Sequence, residues 1–292
     1  MRIAVTGAAG LLGEAATDAL LAAGHEVVAT DIIYRRQPPC RFVLADLCDD
    51  RAVYGVLEGC EAVLHVGNHP HSFIVKPMQK ILTQNVAMNT NVFRAAEDLG
   101  IKRVVFASSI QVISGRNDGI HGEVPSVCRF PYLPWDGGLP QNPGYNFYAL
   151  SKALAEQMLT EMARAVPGWC AASVRFPHLR SSRRRTAYRY VSRPLSLSER
   201  VLSEGQCYLM LDDAGSLLRQ CLERIGPGHR VYFAGQTPTI EGMDLDEIAR
   251  TYYPDIPKRG DWDESGGLVD LRPLRDELGW TPAHPRQHVV PG

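Results

Sequence analysis

The sequence predicts an α/β protein, a doubly wound parallel sheet with a small C-terminal lobe. Three observations predict it. Short β-branched runs alternate with amphipathic helical patterns along most of the chain. The strand-like runs are continuously apolar, the pattern of strands covered by helices on both faces. A glycine-rich turn joins the first strand to the first helix.

The elements follow in order. "RIAVTG", "LLGEAATDALLAAG" and "EVVATD" read as strand, helix, strand, one βαβ unit. The rhythm continues through the strands "RFVLADL" and "AVLHVG", the helix "NVAMNTNVFRAAEDLG", the strand "KRVVFASS", a helix carrying "YALSK", and the strand "AASVRF". Residues 114 to 144, rich in Gly and Pro ("PYLPWDGGLPQNPG"), read as a long functional or mobile loop. After Pro177 the basic insertion "HLRSSRRRTAYRYVSR" breaks the pattern, which resumes as strand and helix in "CYLMLDDAGSLLRQCLERIG" and as a strand in "RVYFAG". The tail, with "PDIPKRGDWDESGG", reads as a second small lobe.

Composition limits the function classes. The chain has 292 residues, 45% hydrophobic and 22% charged, enough for one large core or a core plus a lobe. A net charge of -1 gives no global attraction to nucleic acid or an anionic membrane. The seven cysteines (Cys40, Cys48, Cys60, Cys128, Cys170, Cys207 and Cys221) are an odd, scattered set with no Cys-x-x-Cys, which suits a reducing cytoplasm better than a disulfide framework. No long apolar run is present, so the expectation is a soluble, unexported, cytoplasmic protein.

"TGAAGLLG" sets Gly7, Gly10 and Gly13 between the first strand and helix. Glycine serves there because the chain turns sharply, a pyrophosphate must approach backbone N–H groups, and the helix packs close to the sheet. The helix N-terminus adds partial positive charge. Asp31 ends the second strand, where a carboxylate accepts from ribose hydroxyls, so the context is that of a Rossmann-type dinucleotide site. Asp31 repels a 2′-phosphate and favours NAD; Arg35 and Arg36 offset that repulsion in the alternative, NADP. Asp46 and Leu47 are placed to touch the adenine, with Asp46 as a cap of the next helix as the alternative. Residues 1–176, with 207–235 returning to them, are then the dinucleotide-binding domain, and 177–206 with 236–292 the substrate-binding lobe.

Tyr148 and Lys152, four apart in "YALSK", lie on one helix face. A cation beside a phenol favours the phenolate, the proton acceptor an alcohol oxidation requires. The competing reading is a solvated lysine beside a half-buried tyrosine.

These motifs, with "ADL" at 45–47, "NVAMNTNVFRAA" at 85–96, "FASSIQV" at 106–112 and "ELGWTP" near the end, resemble the extended branch of the short-chain dehydrogenase/reductases, the NAD-dependent epimerase/dehydratase family. The "VRFPHL" and "LMLDDAGSLL" segments look most like its small uronate-dehydrogenase-type members. The resemblance implies Tyr148 as general acid/base, Lys152 as the residue that holds the nicotinamide ribose and depresses the tyrosine pKa, and Ser109 as the hydrogen-bonding partner of the substrate oxygen. It places the cofactor against Gly7, Ala9, Gly10, Leu11, Leu12, Gly13, Asp31, Asp46, Leu47, Val66, Gly67, Asn85, Ala107, Ser108, Tyr148, Lys152, Phe176, Pro177 and His178. It places the substrate against Ser109 and His178; His69, His71 and Ser72 are expected to face it because loops at this sheet edge border the nicotinamide end of the cleft, and Gln111 and Arg183 complete the expected substrate set. A homodimer paired through helices at 85–98 and 148–163 is also implied. Val112, Ile113 and Ser114 depart from the family's Val-Tyr-Gly, and Gly67 replaces its usual Ala.

His65, His69 and His71 match no established zinc spacing, so no metal is expected. Arg180, Arg183, Arg184, Arg185, Arg189 and Arg193 read either as a solvated segment or as a clamp on a carboxylate or phosphate. The expected function is NAD-dependent oxidation of a hydroxyl on a sugar, sugar acid or nucleotide sugar. The alternatives are a nucleotide-sugar epimerase or dehydratase that recycles NAD, and a non-catalytic dinucleotide-binding sensor or scaffold.

Overall fold

Alternate residues of the first strand feed two different cores. Ile3 and Val5 pack with Ala16, Leu20, Leu217 and Leu218, while Ala4 packs with Val53, Val92, Phe93 and Leu159. That division follows from the period-two geometry of a strand and requires helices on both sides of the sheet. The structure is a computed structural model that describes residues 1–34, 39–70, 77–114, 130–181, 207–265 and 267–289.

Seven parallel strands form the main sheet: β1 (Arg2–Thr6), β2 (Glu26–Asp31), β3 (Arg41–Leu44), β4 (Ala62–His65), β5 (Arg103–Ser109), β6 (Cys170–Phe176) and β9 (Gly228–Phe233). Their order is β3-β2-β1-β4-β5-β6-β9, so the winding reverses between β1 and β4, the crevice where doubly wound sheets bind ligands. Two short parallel pairs lie outside it, β7 (His178–Arg180) with β8 (Tyr208–Met210) and β10 (Thr239–Ile240) with β11 (His288–Val289). Helices α1 (Leu11–Ala22) and α5 (Leu211–Arg224) cover one face. Helices α2 (Asp50–Leu57), α3 (Met78–Asp98) and α4 (Phe147–Ala165) cover the other. Among the described residues no helix is long and apolar enough to cross a membrane.

Helix α3 begins seven residues before the segment the sequence pattern marks. Its first two turns interleave polar Gln79, Lys80, Thr83 and Gln84 with the apolar Met78, Ile81 and Leu82, which blurs the periodicity, and Pro77 stands at its N-cap.

A third apolar cluster joins Ile110, Val112, Phe130, Leu133 and Trp135 to Ile248, Tyr253, Trp262, Leu268 and Val269. Helices α6 (Leu245–Tyr252), α7 (Trp262–Ser265) and α8 (Arg272–Leu278) belong to this end of the chain. Residues 130–139 are therefore built into the fold: Leu133 bridges to Lys258 and Trp135 to Val269, and a Cβ on Gly137 would stand 1.8 Å from the carbonyl oxygen of Val231. Buried aromatic and aliphatic side chains hold this part of the 114–144 loop in place; residues 115–129 lie outside the described residues.

Candidate active site

At the end of β1 the chain turns at Gly7, whose φ is +66°. A Cβ there would meet Gly67 Cα at 2.7 Å, so Gly7 lets the β1 and β4 ends touch. Gly13 is tighter, since its Cβ would fall 2.1 Å from Gly7 O. Gly10, at the N-cap of α1, provides no side-chain cap, leaving first-turn N–H groups at Leu11, Leu12 and Gly13 for another acceptor. Asp31 Oδ2 accepts from Ala9 N at 3.0 Å, joining the acid after β2 to this loop. A cradle closed to side chains, an uncapped helix start and an adjacent carboxylate fit a dinucleotide pyrophosphate and ribose.

The β4 end is fixed by a buried polar chain. Thr6 Oγ1 accepts from Val66 N (3.1 Å) and Gly67 N (3.0 Å), leaving its proton for His65 Nδ1 at 2.7 Å. His65 Nε2 then donates to Asn89 Oδ1 at 2.9 Å. Burial first, and the charge of Lys152 second, hold His65 down to about 3, so it is neutral here. His65 is thus a packed hydrogen-bonding residue. A Cβ added at Gly67 would stand 2.7 Å from the movable Cδ1 of Leu47 and 3.0 Å from Gly7 N and Thr6 Oγ1, so the position is tight. Asp46 is exposed and accepts from Cys48 N at 2.9 Å; the cap of α2 is Asp49, which accepts from Arg51 N and Ala52 N.

Asn85, fully buried, accepts from His69 N at 2.8 Å and donates to His69 O at 3.2 Å and to Ser151 Oγ at 3.1 Å. It ties the loop after β4 to α4. His69 is half-buried, while His71, Ser72 and Arg183, like Arg35 and Arg36, lie outside the described residues.

Asn146 caps α4 by accepting from Ala149 N at 2.9 Å and donates to Gln111 Oε1 at 3.0 Å. That bond connects the start of the Tyr148 helix to the turn after β5, and Ser109 Oγ accepts from Gln111 N at 3.2 Å in the same turn. Gln111 is buried, so its carboxamide oxygen already has a structural partner.

Lys152 is 3% exposed, and its Nζ donates to Ala107 O at 2.7 Å. It lies 4.5 Å from the Phe106 ring centroid and 5.7 Å from that of Tyr148. Burial pulls its pKa down to about 7, and the charge of Glu156 opposes the fall. Tyr148 is half-buried beside it. Ser108 donates to Glu156 Oε1 at 2.6 Å. Phe176 is buried and registers with Ser109 across β5 and β6; Pro177 is buried, and the exposed His178 opens β7 opposite Tyr208.

The switch point thus gathers the glycine loop, Asp31, Val66, Gly67 and Leu47, and α4 sets Tyr148 and Lys152 at the β5 end with Ala107 and Ser109. Sequence reading missed Glu156, Arg175, Asn146 and Asn89. Glu156 was detectable as the next i+4 position after Lys152; the others depend on partners distant in the chain.

Fold and site define a dinucleotide-binding α/β protein with a tyrosine-lysine pair at the sheet's C-terminal edge. Residues 3–220 match the NAD dependent epimerase/dehydratase family, and the chain belongs to that family, as the motif resemblance implied. It is 31% identical over 162 residues to the uronate dehydrogenase of Pseudomonas syringae pv. tomato, covering 54% of this chain and 52% of that one. The chain thus spans about half the length of this curated relative. Two solved structures share the fold. A short-chain dehydrogenase/reductase superfamily protein from Agrobacterium tumefaciens with bound NAD superposes with a TM-score of 0.70 at 21% identity, covering 98% of this chain and 93% of the other. The UDP-glucose 4-epimerase from Bifidobacterium longum in complex with NAD+ and UDP gives 0.69 at 18% identity, covering 98% and 94%.

Proposed function

We propose that the protein is an NAD-dependent dehydrogenase acting on a hydroxyl of a sugar or sugar acid. The observation that carries this reading is the buried Lys152 ammonium, hydrogen-bonded to Ala107 O at 2.7 Å and one helical turn from Tyr148. NAD, when bound, supplies a hydride acceptor. The backbone N–H groups of the glycine loop hold its pyrophosphate, and Asp31 accepts from ribose hydroxyls. The Tyr148 phenolate takes the proton of the substrate hydroxyl, while Ser109 Oγ orients that oxygen. Lys152 favours the phenolate by its charge. Proton transfer of this kind contributes about 10²–10⁴ in rate, and orientation supplies much of the rest.

The 31% identity to a uronate dehydrogenase supports oxidation over hydride return, and a sugar acid as substrate. The side chains retained at 109, 148 and 152 argue against a non-catalytic scaffold, which needs only the glycine loop. Incubating the protein with NAD and a panel of aldoses, uronic acids and nucleotide sugars tests the reading. The expected result is NADH absorbance with a uronic acid or aldose; an isomer formed without net NADH makes it an epimerase instead.

A further inference from the structure

We propose that Glu156 is a positioning residue for the Tyr148–Lys152 pair: its carboxylate, immobilised beneath α4, keeps the Lys152 ammonium charged and fixes the end of β5 that bears Ser109. This rests on the functional reading above. Tyr148, Lys152 and Glu156 are spaced i, i+4, i+8 along α4, so one helix face carries all three. Glu156 is 2% exposed and accepts four hydrogen bonds. Ser108 (2.6 Å) and Arg175 Nε (3.0 Å) reach Oε1; Arg175 Nη2 (2.7 Å) and Gln141 Nε2 (2.9 Å) reach Oε2. A carboxylate so saturated is no proton shuttle; it is a fixed negative charge.

Its partners are placed to transmit position. Ser108 directly precedes Ser109, and Arg175 directly precedes Phe176, which registers with Ser109 across the sheet. Arg175 Nη1 also holds Leu139 O at 2.7 Å, joining the site floor to the packed 130–139 segment. One turn further along α4, Thr160 donates to Glu156 O (3.0 Å) and meets His229 Nδ1 (2.9 Å), whose Nε2 meets Ser173 Oγ (2.9 Å). The underside of α4 is therefore bound to β6 and β9 by polar contacts that set its depth.

Among the described residues, the charged or titratable groups facing Lys152 are Tyr148 and Glu156 on α4 and the neutral His65 on β4; β5 offers the Ala107 carbonyl and the Phe106 ring. Glu156 is the anion of that set. Without it, burial acts on Lys152 unopposed.

The chain has five lysines, so a carbon-13 lysine label gives a sparse spectrum in which Lys152 is assigned by its loss in Lys152→Arg. In Glu156→Gln the Lys152 titration midpoint is expected to fall by about one pH unit, with Glu156→Asp recovering most of the shift. The acid limb of kcat should move to higher pH in the Gln variant while NAD affinity stays within about twofold, a split that a general loss of structure does not produce. If Glu156→Gln does not fold because Arg175 is left buried and unpaired, Glu156→Gln/Arg175→Met is compared with Arg175→Met alone, so that the Glu156 charge is the difference between them, and the Lys152 midpoint is expected to be lower in the double variant. A folded Glu156→Gln variant whose Lys152 titrates as in the parent, or a double variant whose Lys152 titrates as in Arg175→Met, overturns the proposal. Absence of turnover with every sugar overturns the dehydrogenase reading instead, and the lysine titration still decides this one.

Discussion

Lys152 Nζ sits 2.7 Å from the carbonyl oxygen of Ala107, so helix α4 and strand β5 meet through a buried ammonium at the sheet edge that carries Ser109. Such a group costs solvation, which is why its pKa falls from 10.5 to about 7. Tertiary packing keeps that costly group where the proposed chemistry needs a cation.

Two pH windows follow. Unfolded, Lys152 keeps its proton up to 10.5 and folded only to about 7, so between these values the unfolded chain binds more protons and stability rises with pH. His65 drops from 6.5 to about 3, so acidification through that window protonates the unfolded chain first and stability is lost as pH falls. Urea unfolding across pH checks both: Lys152→Met should flatten the alkaline rise, and His65→Gln should weaken the acid loss.

Glycine substitutions separate fit from propensity. Gly13→Ala drives a Cβ into the Gly7 carbonyl, and backbone cannot yield as a side chain does; the expected cost is about 1–3 kcal/mol, with NAD affinity reduced more than tenfold. Gly55, inside α2, has open space around an added Cβ, so Gly55→Ala should stabilise by about 0.5–1 kcal/mol. Thermal melts and NAD titration calorimetry measure both.

Asp31→Ala removes the acceptor beside Ala9 N and the proposed partner of the ribose. A charged hydrogen bond contributes about 1.5–3 kcal/mol, so NAD should bind about tenfold or more weakly and discrimination against NADP should shrink. Parallel titrations with the two nucleotides check the ratio.

Asn85→Ala removes three hydrogen bonds of a fully buried side chain, two to His69 in the loop after β4 and one to Ser151 on α4. The expected loss is on the order of 1–3 kcal/mol of stability, read by denaturant unfolding.

The main sheet was legible in the sequence because its strands are short, continuously apolar and punctuated by helices; the glycine loop and Asp31 were legible because local geometry dictates them. Polar links between distant segments were not. Gln111 reads as a residue facing substrate, yet its oxygen is held by Asn146, 35 positions away. Arg175 lies inside an apolar run, and only its pairing with Glu156 makes a charge tolerable there. Trp135 sits in a Gly/Pro-rich stretch that reads as loose, although it is fully buried against Tyr253.

The most direct test of the central claim is Tyr148→Phe, compared with the parent for NAD dissociation constant and for kcat on whichever sugar the parent oxidises. Turnover is expected to fall by about two to four orders of magnitude with NAD affinity nearly unchanged. A Phe variant that turns over at the parental rate contradicts it.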